Sequence, residues 1–278
     1  MARRRKPFRP FLDMSYLGVP DASLNLGRED LEELMTGRGS ARLFLGYYTE
    51  EKIREGFARF SVQTKLNEMG LGSFRIQLDS SDPDRQVMIV RPVSDPGGKK
   101  LPEDTEPIAE CILREAVLSP SDSIEARIDP RAYLVIQWIQ LQNPFASFDP
   151  KTLLPGQSFP GLGVGDKVLQ MFDALIGRLH LEGIITRPEF LHNAILYARA
   201  FKFLRPEAEG RLRALMEQLS HLNLWQIAWA AEKGFIVEDG EKRRFSWYQS
   251  EQIWANCSHL ADYFAGDRYL GLVGEAKQ

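Results

Sequence analysis

Three glycines alternate with two aliphatic residues in Gly161-Leu162-Gly163-Val164-Gly165, a turn set between an apolar run and an amphipathic one. Upstream, Tyr133 to Leu141 has the composition of a buried strand. Downstream, Val168, Leu169, Phe172, Leu175, Ile176 and Leu179 recur at helical spacing. In a strand, glycine turn, helix unit the first amides of the helix lack intrahelical partners, and the aligned peptide dipoles add partial positive charge. The chemistry this permits is capture of a phosphate or pyrophosphate by backbone N–H groups, without a lysine. Spacing narrows the choice of phosphate. A Walker loop ends in Gly-Lys-Ser or Gly-Lys-Thr, whereas Gly165 is followed by Asp166 and Lys167. A dinucleotide fingerprint needs a third glycine at 166 and normally opens the first strand and helix of its domain. ATP by a Walker loop and NAD are both disfavoured.

A second segment extends the pattern. Gln157-Ser158-Phe159-Pro160-Gly161-Leu162-Gly163, followed by Asn193-Ala194-Ile195-Leu196-Tyr197 and Phe203, resembles the acyl-CoA-binding half of the GNAT acetyltransferases over residues 130 to 205. In that family a Gln/Arg-x-x-Gly-x-Gly/Ala turn cradles the pyrophosphate of acetyl-CoA; the turn here carries one extra residue. The family's later Asn, Ala, Leu-Tyr signature includes a tyrosine that can protonate the departing CoA thiolate, and Tyr197 matches it. Phe201 replaces the glycine that usually follows the tyrosine. The resemblance implies acetyl-CoA or another acyl-CoA as cofactor, held by Gln157, Gly161, Leu162, Gly163, Val164, Gly165 and Asn193. It implies transfer to a small-molecule or protein amine. Deprotonation of that amine needs a base, for which Glu110 or Glu115 on the third strand is available; the two point to opposite faces. The competing reading is a GNAT-like module that binds or docks without catalysis, which the irregular turn and Phe201 would allow.

Each of these residues also has a purely structural reading. Alternating glycines relieve crowding where a helix packs close to a sheet. Tyr197 fits a core aromatic, Glu110 a surface carboxylate, and His192 a polar partner of Asn193. Gln137 and Gln140 interrupt an otherwise apolar strand and need hydrogen-bond partners if buried.

The chain of 278 residues, 44% of them hydrophobic, can build a full core. Its 35 basic and 38 acidic residues give a net charge of −3, so the whole surface offers no attractive field for nucleic acid. Only Arg3, Arg4, Arg5, Lys6 and Arg9 form a basic cluster. The two cysteines, Cys111 and Cys257, belong to no Cys-x-x-Cys pair, and the four histidines share no metal-ligand spacing on one helix, so no metal site is expected. No run reaches the roughly 18 apolar residues of a membrane span, and the N-terminus lacks the apolar core of a secretion signal. A cytoplasmic protein is expected; the oligomeric state is open.

These residues must be positioned by surrounding elements. Thr49-Glu50-Glu51 starts a helix running to about residue 69, with Ile53, Phe57, Phe60 and Leu66 on one face and Gly70 or Gly72 as terminator. Phe74, Ile76 and Leu78 alternate with polar residues, Ser80 to Asp84 turns, and Val87 to Val90 returns as a hairpin. A third strand runs near Ile108 to Leu118 and a fourth from Tyr133, then Gly183-Ile184-Ile185-Thr186 is a short strand between helices. The fold expected is α/β, a mixed, largely antiparallel central sheet flanked by helices. Residues 1–27 form a basic arm, 28–205 the GNAT-like domain, and 206–278 a helical, aromatic extension beginning at the helix of Pro206.

Overall fold

The computed structural model describes residues 43–117, 132–149, 151–238 and 243–277. The basic arm, residues 28–42 of the expected main domain and Leu118 lie outside the described residues.

Two helices come first, α1 (Glu50–Arg59) and α2 (Val62–Glu68). Thr49 caps α1 by accepting from the Lys52 amide at 3.3 Å, and Glu50 and Glu51 occupy the first turn, where the dipole favours acid. The single helix expected over 50–69 is broken at Ser61, which sits at φ 59°. The break has a packing cause: it turns Val62 and Leu66 back onto the same core as Ile53 and Phe57. The terminator is Gly70, at φ +73°, beside the Leu71 amide that donates to the Leu66 carbonyl.

Strands β1 (Phe74–Asp79), β2 (Gln86–Pro92), β3 (Ala109–Val117) and β4 (Ala132–Leu141) pair antiparallel in sequence order. Helix α3 (Gly165–Arg178) then crosses to β5 (Gly183–Thr186), which lies parallel to β4. After α4 (Leu191–Tyr197) come β6 (Lys202–Phe203), α5 (Pro206–Gln218), α6 (Leu224–Glu232) and a small separate hairpin, β7 (Val237–Glu238) with β8 (Arg243–Arg244). Strand β9 (Gln252–Ala255) precedes α7 (Ser258–Ala265) and α8 (Asp267–Glu275). The main sheet has seven strands in the order β1-β2-β3-β4-β5-β9-β6. The expected mixed, largely antiparallel sheet between helices is therefore present.

The segment set apart as an extension supplies the strand between β5 and β6. Glycine permits that pairing: a Cβ on Gly183 would stand 2.2 Å from the Trp254 carbonyl oxygen. Ile253 and Trp254 are buried there, on opposite faces of the sheet. Helices α1, α2 and α3 cover one face, with Phe57, Leu66 and Ile176 in one cluster with Leu113 of β3 and Leu134 of β4. On the other face Tyr133, Ile185 and Ile253 pack against Leu260 of α7, and a further cluster joins α4, α5 and α6 through Ala194, Leu212 and Ile227.

Buried Glu209 ties α5 to this sheet. It accepts from the Phe203 amide at 3.1 Å and pairs with Arg213 and Lys202. The Tyr269 hydroxyl donates to the Phe203 carbonyl at 2.7 Å, so α8 is fastened to the same strand.

Candidate functional site

The pairing of β3 with β4 slips between Ile112 and Leu113, because Gln137 is an extra residue on β4. Beyond this bulge the two parallel strands part. Pairing of β4 with β5 covers only Leu134↔Ile184, Val135↔Ile185 and Ile136↔Thr186. The Gln142 amide donates to Ile108 on the β3 side, so by alternation the N–H and C=O of Ile139 face away from β3. A length of strand edge is thus exposed at the carboxyl ends of a parallel pair, the customary place for a ligand in such sheets.

The opening is a cleft of about 290 Å³. Its walls include Gln137 to Leu141 of β4 with Gln142 just beyond it, Gly156 to Phe159 of the following loop, and Arg187 after β5. Helix α4 adds His192, Asn193 and Tyr197. Three predicted residues from separate segments, Gln157, Asn193 and Tyr197, are therefore brought to one cavity. Gln157 is tethered, its Oε1 accepting from the Leu154 amide at 3.1 Å. Tyr197 is half-buried with its ring tilted against Phe201 at 5.8 Å, and its hydroxyl bonds to no described residue. Burial raises the phenol pKa, keeping the proton on oxygen at neutral pH. Phe201, in the family's glycine position, is itself core and donates its amide to the Tyr197 carbonyl at 2.8 Å.

The glycine turn sits where α3 begins. Gly161, Gly163 and Gly165 are exposed, while Leu162 and Val164 point into the core, so the alternation sorts backbone to the surface and side chains inward. Gly163 adopts φ +66°. The Leu162 amide is already used, donating to the Leu141 carbonyl at 3.3 Å. Among the described residues none accepts from the amides of Gly163, Val164, Gly165 or Asp166, and no side chain caps α3. The turn is bridged to the end of β4 at Gln142↔Gly161, but none of the predicted residues Gly161 to Gly165 lines the cleft, and Leu162 and Val164 instead line an apolar cavity beside α3.

Glu110 does not line the cleft. It pairs in register with Gln140, one strand away from the cleft edge. Glu115 is exposed near the end of β3. The glutamines are satisfied in sequence: Gln140 donates to Gln142 at 2.7 Å and Gln142 to the Pro107 carbonyl at 3.0 Å, leaving Gln137 exposed at the bulge.

Two further groups stand in the cleft: Arg187, which the sequence did not single out, and His192, which it set beside Asn193. Arg187 brings a cation, paired with Glu251. His192 is buried and stacked on Phe190 at 5.3 Å, and burial lowers its pKa to about 4, so the ring is neutral at pH 7.

At the opposite end of β5, Glu182, Cys257 and His259 hold their ligand-type atoms within 4.8 Å of one another. The His259 Nδ1 lies 3.7 Å from Glu182 and its Nε2 3.9 Å from Cys257. The sequence spacing missed this group because Glu182 comes from a different element.

A second cavity, also of about 290 Å³, lies between α1, α2, α3 and the sheet and is almost wholly apolar.

No protein-family model matches the chain, and no curated protein matches it in sequence. Among the described residues no helix is long and apolar enough to cross a membrane.

Proposed function

We propose that the chain is a GNAT-like, acyl-CoA-dependent acyltransferase that acts on an amine at the cleft between β4 and β5. The observation that carries this reading is the convergence of Gln157, Asn193, Tyr197 and an unpaired β4 edge on one cavity, beside a helix start with unused amides. The element order supports it too: early helices, antiparallel strands, then β4, α3, β5 and α4.

In this reading the amides of Gly163 to Asp166 hold the diphosphate, with the dipole of α3 behind them. Arg187, paired with Glu251, also lines the cleft. The acyl-pantetheine arm runs along β4, where the Ile139 N–H is oriented to polarise the thioester carbonyl. Attack by the amine breaks the carbon–sulfur bond, and Tyr197 gives its proton to the leaving thiolate. Glu110, one strand behind the cleft-lining Gln140, takes the amine's proton through water. His192 is neutral and stands in the cleft, and is the better-placed base.

Calorimetric titration with acetyl-CoA tests the reading. One saturable site is expected in the native protein, and Tyr197→Phe should leave that affinity intact while lowering acyl-transfer turnover about 100-fold or more. Absence of binding at millimolar acetyl-CoA refutes the function. Binding without turnover on any amine favours the docking module instead.

A further inference from the structure

The apolar cavity between the helices and the sheet shares Ile139 and Leu141 with the cleft and takes Leu162 and Val164 from the glycine turn, but its side chains supply no reacting group to the transfer chemistry proposed above. Ile53 and Phe57 of α1, Val90 of β2, Leu113 of β3 and Val168 and Phe172 of α3 form its walls. Cys111 adds a thiol whose pKa burial pushes far up, so it serves as one more inert wall group. Native cores rarely leave voids larger than a water molecule, and water needs two or more polar partners that these walls do not supply. An apolar cavity of about 150 Å³ holds benzene, so this one has room for roughly ten to twelve carbons.

The mouth is different. Exposed Glu55 and Arg59 of α1 face Ala174 and Arg178 of α3, and the two helices meet where Met171 Cε comes 3.3 Å from the position a Gly56 side chain would take. Lys52 is neutralised by Glu55 at 3.3 Å. Arg178 has no carboxylate partner among the described residues; its guanidinium stands 5.7 Å from the Tyr48 ring centroid. Burial raises the Tyr48 pKa against the opposing pull of Arg178, so this phenol remains a donor. A cation and an O–H donor therefore meet at the entrance of a space that accepts only hydrocarbon.

We infer that this cavity binds a single-chain amphiphile with an anionic head, a medium-chain fatty acid, with its tail between α1 and α3 and its carboxylate against Arg178 and Tyr48. Charge selects this occupant over a neutral lipid: the guanidinium at the rim has no carboxylate partner among the described residues, and an anionic head supplies one. CoA binding is not required, because the mouth opens between helices rather than between β4 and β5.

The test uses the full chain and decanoate, titrated calorimetrically in parallel with decanol. One saturable decanoate site is expected, with hexanoate weaker. Val168→Phe and Leu113→Phe fill the cavity from opposite walls; each should abolish uptake while its melting temperature stays level or rises. Arg178→Met should weaken decanoate about tenfold or more and change decanol less than about twofold. Failure of the full chain to take up decanoate saturably overturns the inference. So does uptake that survives both phenylalanine variants in folded protein. Equal decanoate affinity in Arg178→Met overturns the carboxylate assignment.

Discussion

Alanine at Gly163 and at Gly165 should shift stability in opposite directions, although the two residues are neighbours in one exposed turn. Neither position has any heavy atom within 4 Å of a would-be Cβ, so packing contributes nothing to either change. The difference is conformational. Gly163 sits at φ +66°, where a Cβ costs about 1–2 kcal/mol. Gly165 opens α3 with ordinary helical geometry, and alanine there restricts the unfolded chain at no native cost, a gain of about 0.4–1 kcal/mol. For a chain of this size each kcal/mol moves the melting temperature by about 2–4 °C, so calorimetry should find Gly163→Ala lower and Gly165→Ala slightly higher than the native protein. Acetyl-CoA titration completes the experiment. Gly165→Ala keeps its amide and should still bind, whereas Gly165→Trp projects an indole into the open space over the amides and should abolish binding in a protein that folds normally. A Gly163→Ala protein as stable as the native one would refute the assigned backbone. A folded Gly165→Trp protein with native acetyl-CoA affinity would refute the role of the amides.

The remaining expectations concern titration and buried charge. Because burial raises the Tyr197 pKa, loss of its proton should not limit turnover below about pH 10, and a pH–rate profile of native protein against Tyr197→Phe reads this directly. His192 has its folded pKa lowered to about 4 from 6.5, so the unfolded chain binds the extra proton between those values. Its contribution to stability is complete above about pH 6.5 and is lost as pH falls towards 4; urea unfolding at several pH values should show a shallower dependence in His192→Phe. Glu209→Ala strips the buried Phe203 amide of its acceptor and breaks two ion pairs, which should cost about 3 kcal/mol in denaturant unfolding.

Local pattern carried much of this architecture. The β1–β2 hairpin was legible because Phe74, Ile76 and Leu78 alternate cleanly, and α3 because its apolar residues keep helical spacing. The break at Ser61 was not, since one continuous helix and two angled ones place Ile53, Phe57 and Leu66 almost equally well, and tertiary packing decides between them. The cleft was half legible. Its side chains follow from the turn at Gln157 and the Asn193…Tyr197 spacing, but the opening itself comes from a bulge at Gln137, and polar residues in strands do not announce bulges. Strand parity gave Glu110 a face but not a strand: it is paired with Gln140 of the cleft wall and does not itself line the cleft. The apolar cavity has no sequence signal at all, because its lining residues read like any other core.

Placing β9 between β5 and β6 makes the order of synthesis matter. Residues 252–255 are synthesised well after β5, so until they emerge β5 offers an unpaired, largely apolar border to other nascent chains. A product stopped after residue 205 would retain Gln157, Asn193 and Tyr197 yet present that border permanently, and is expected to form insoluble aggregates rather than a minimal working protein.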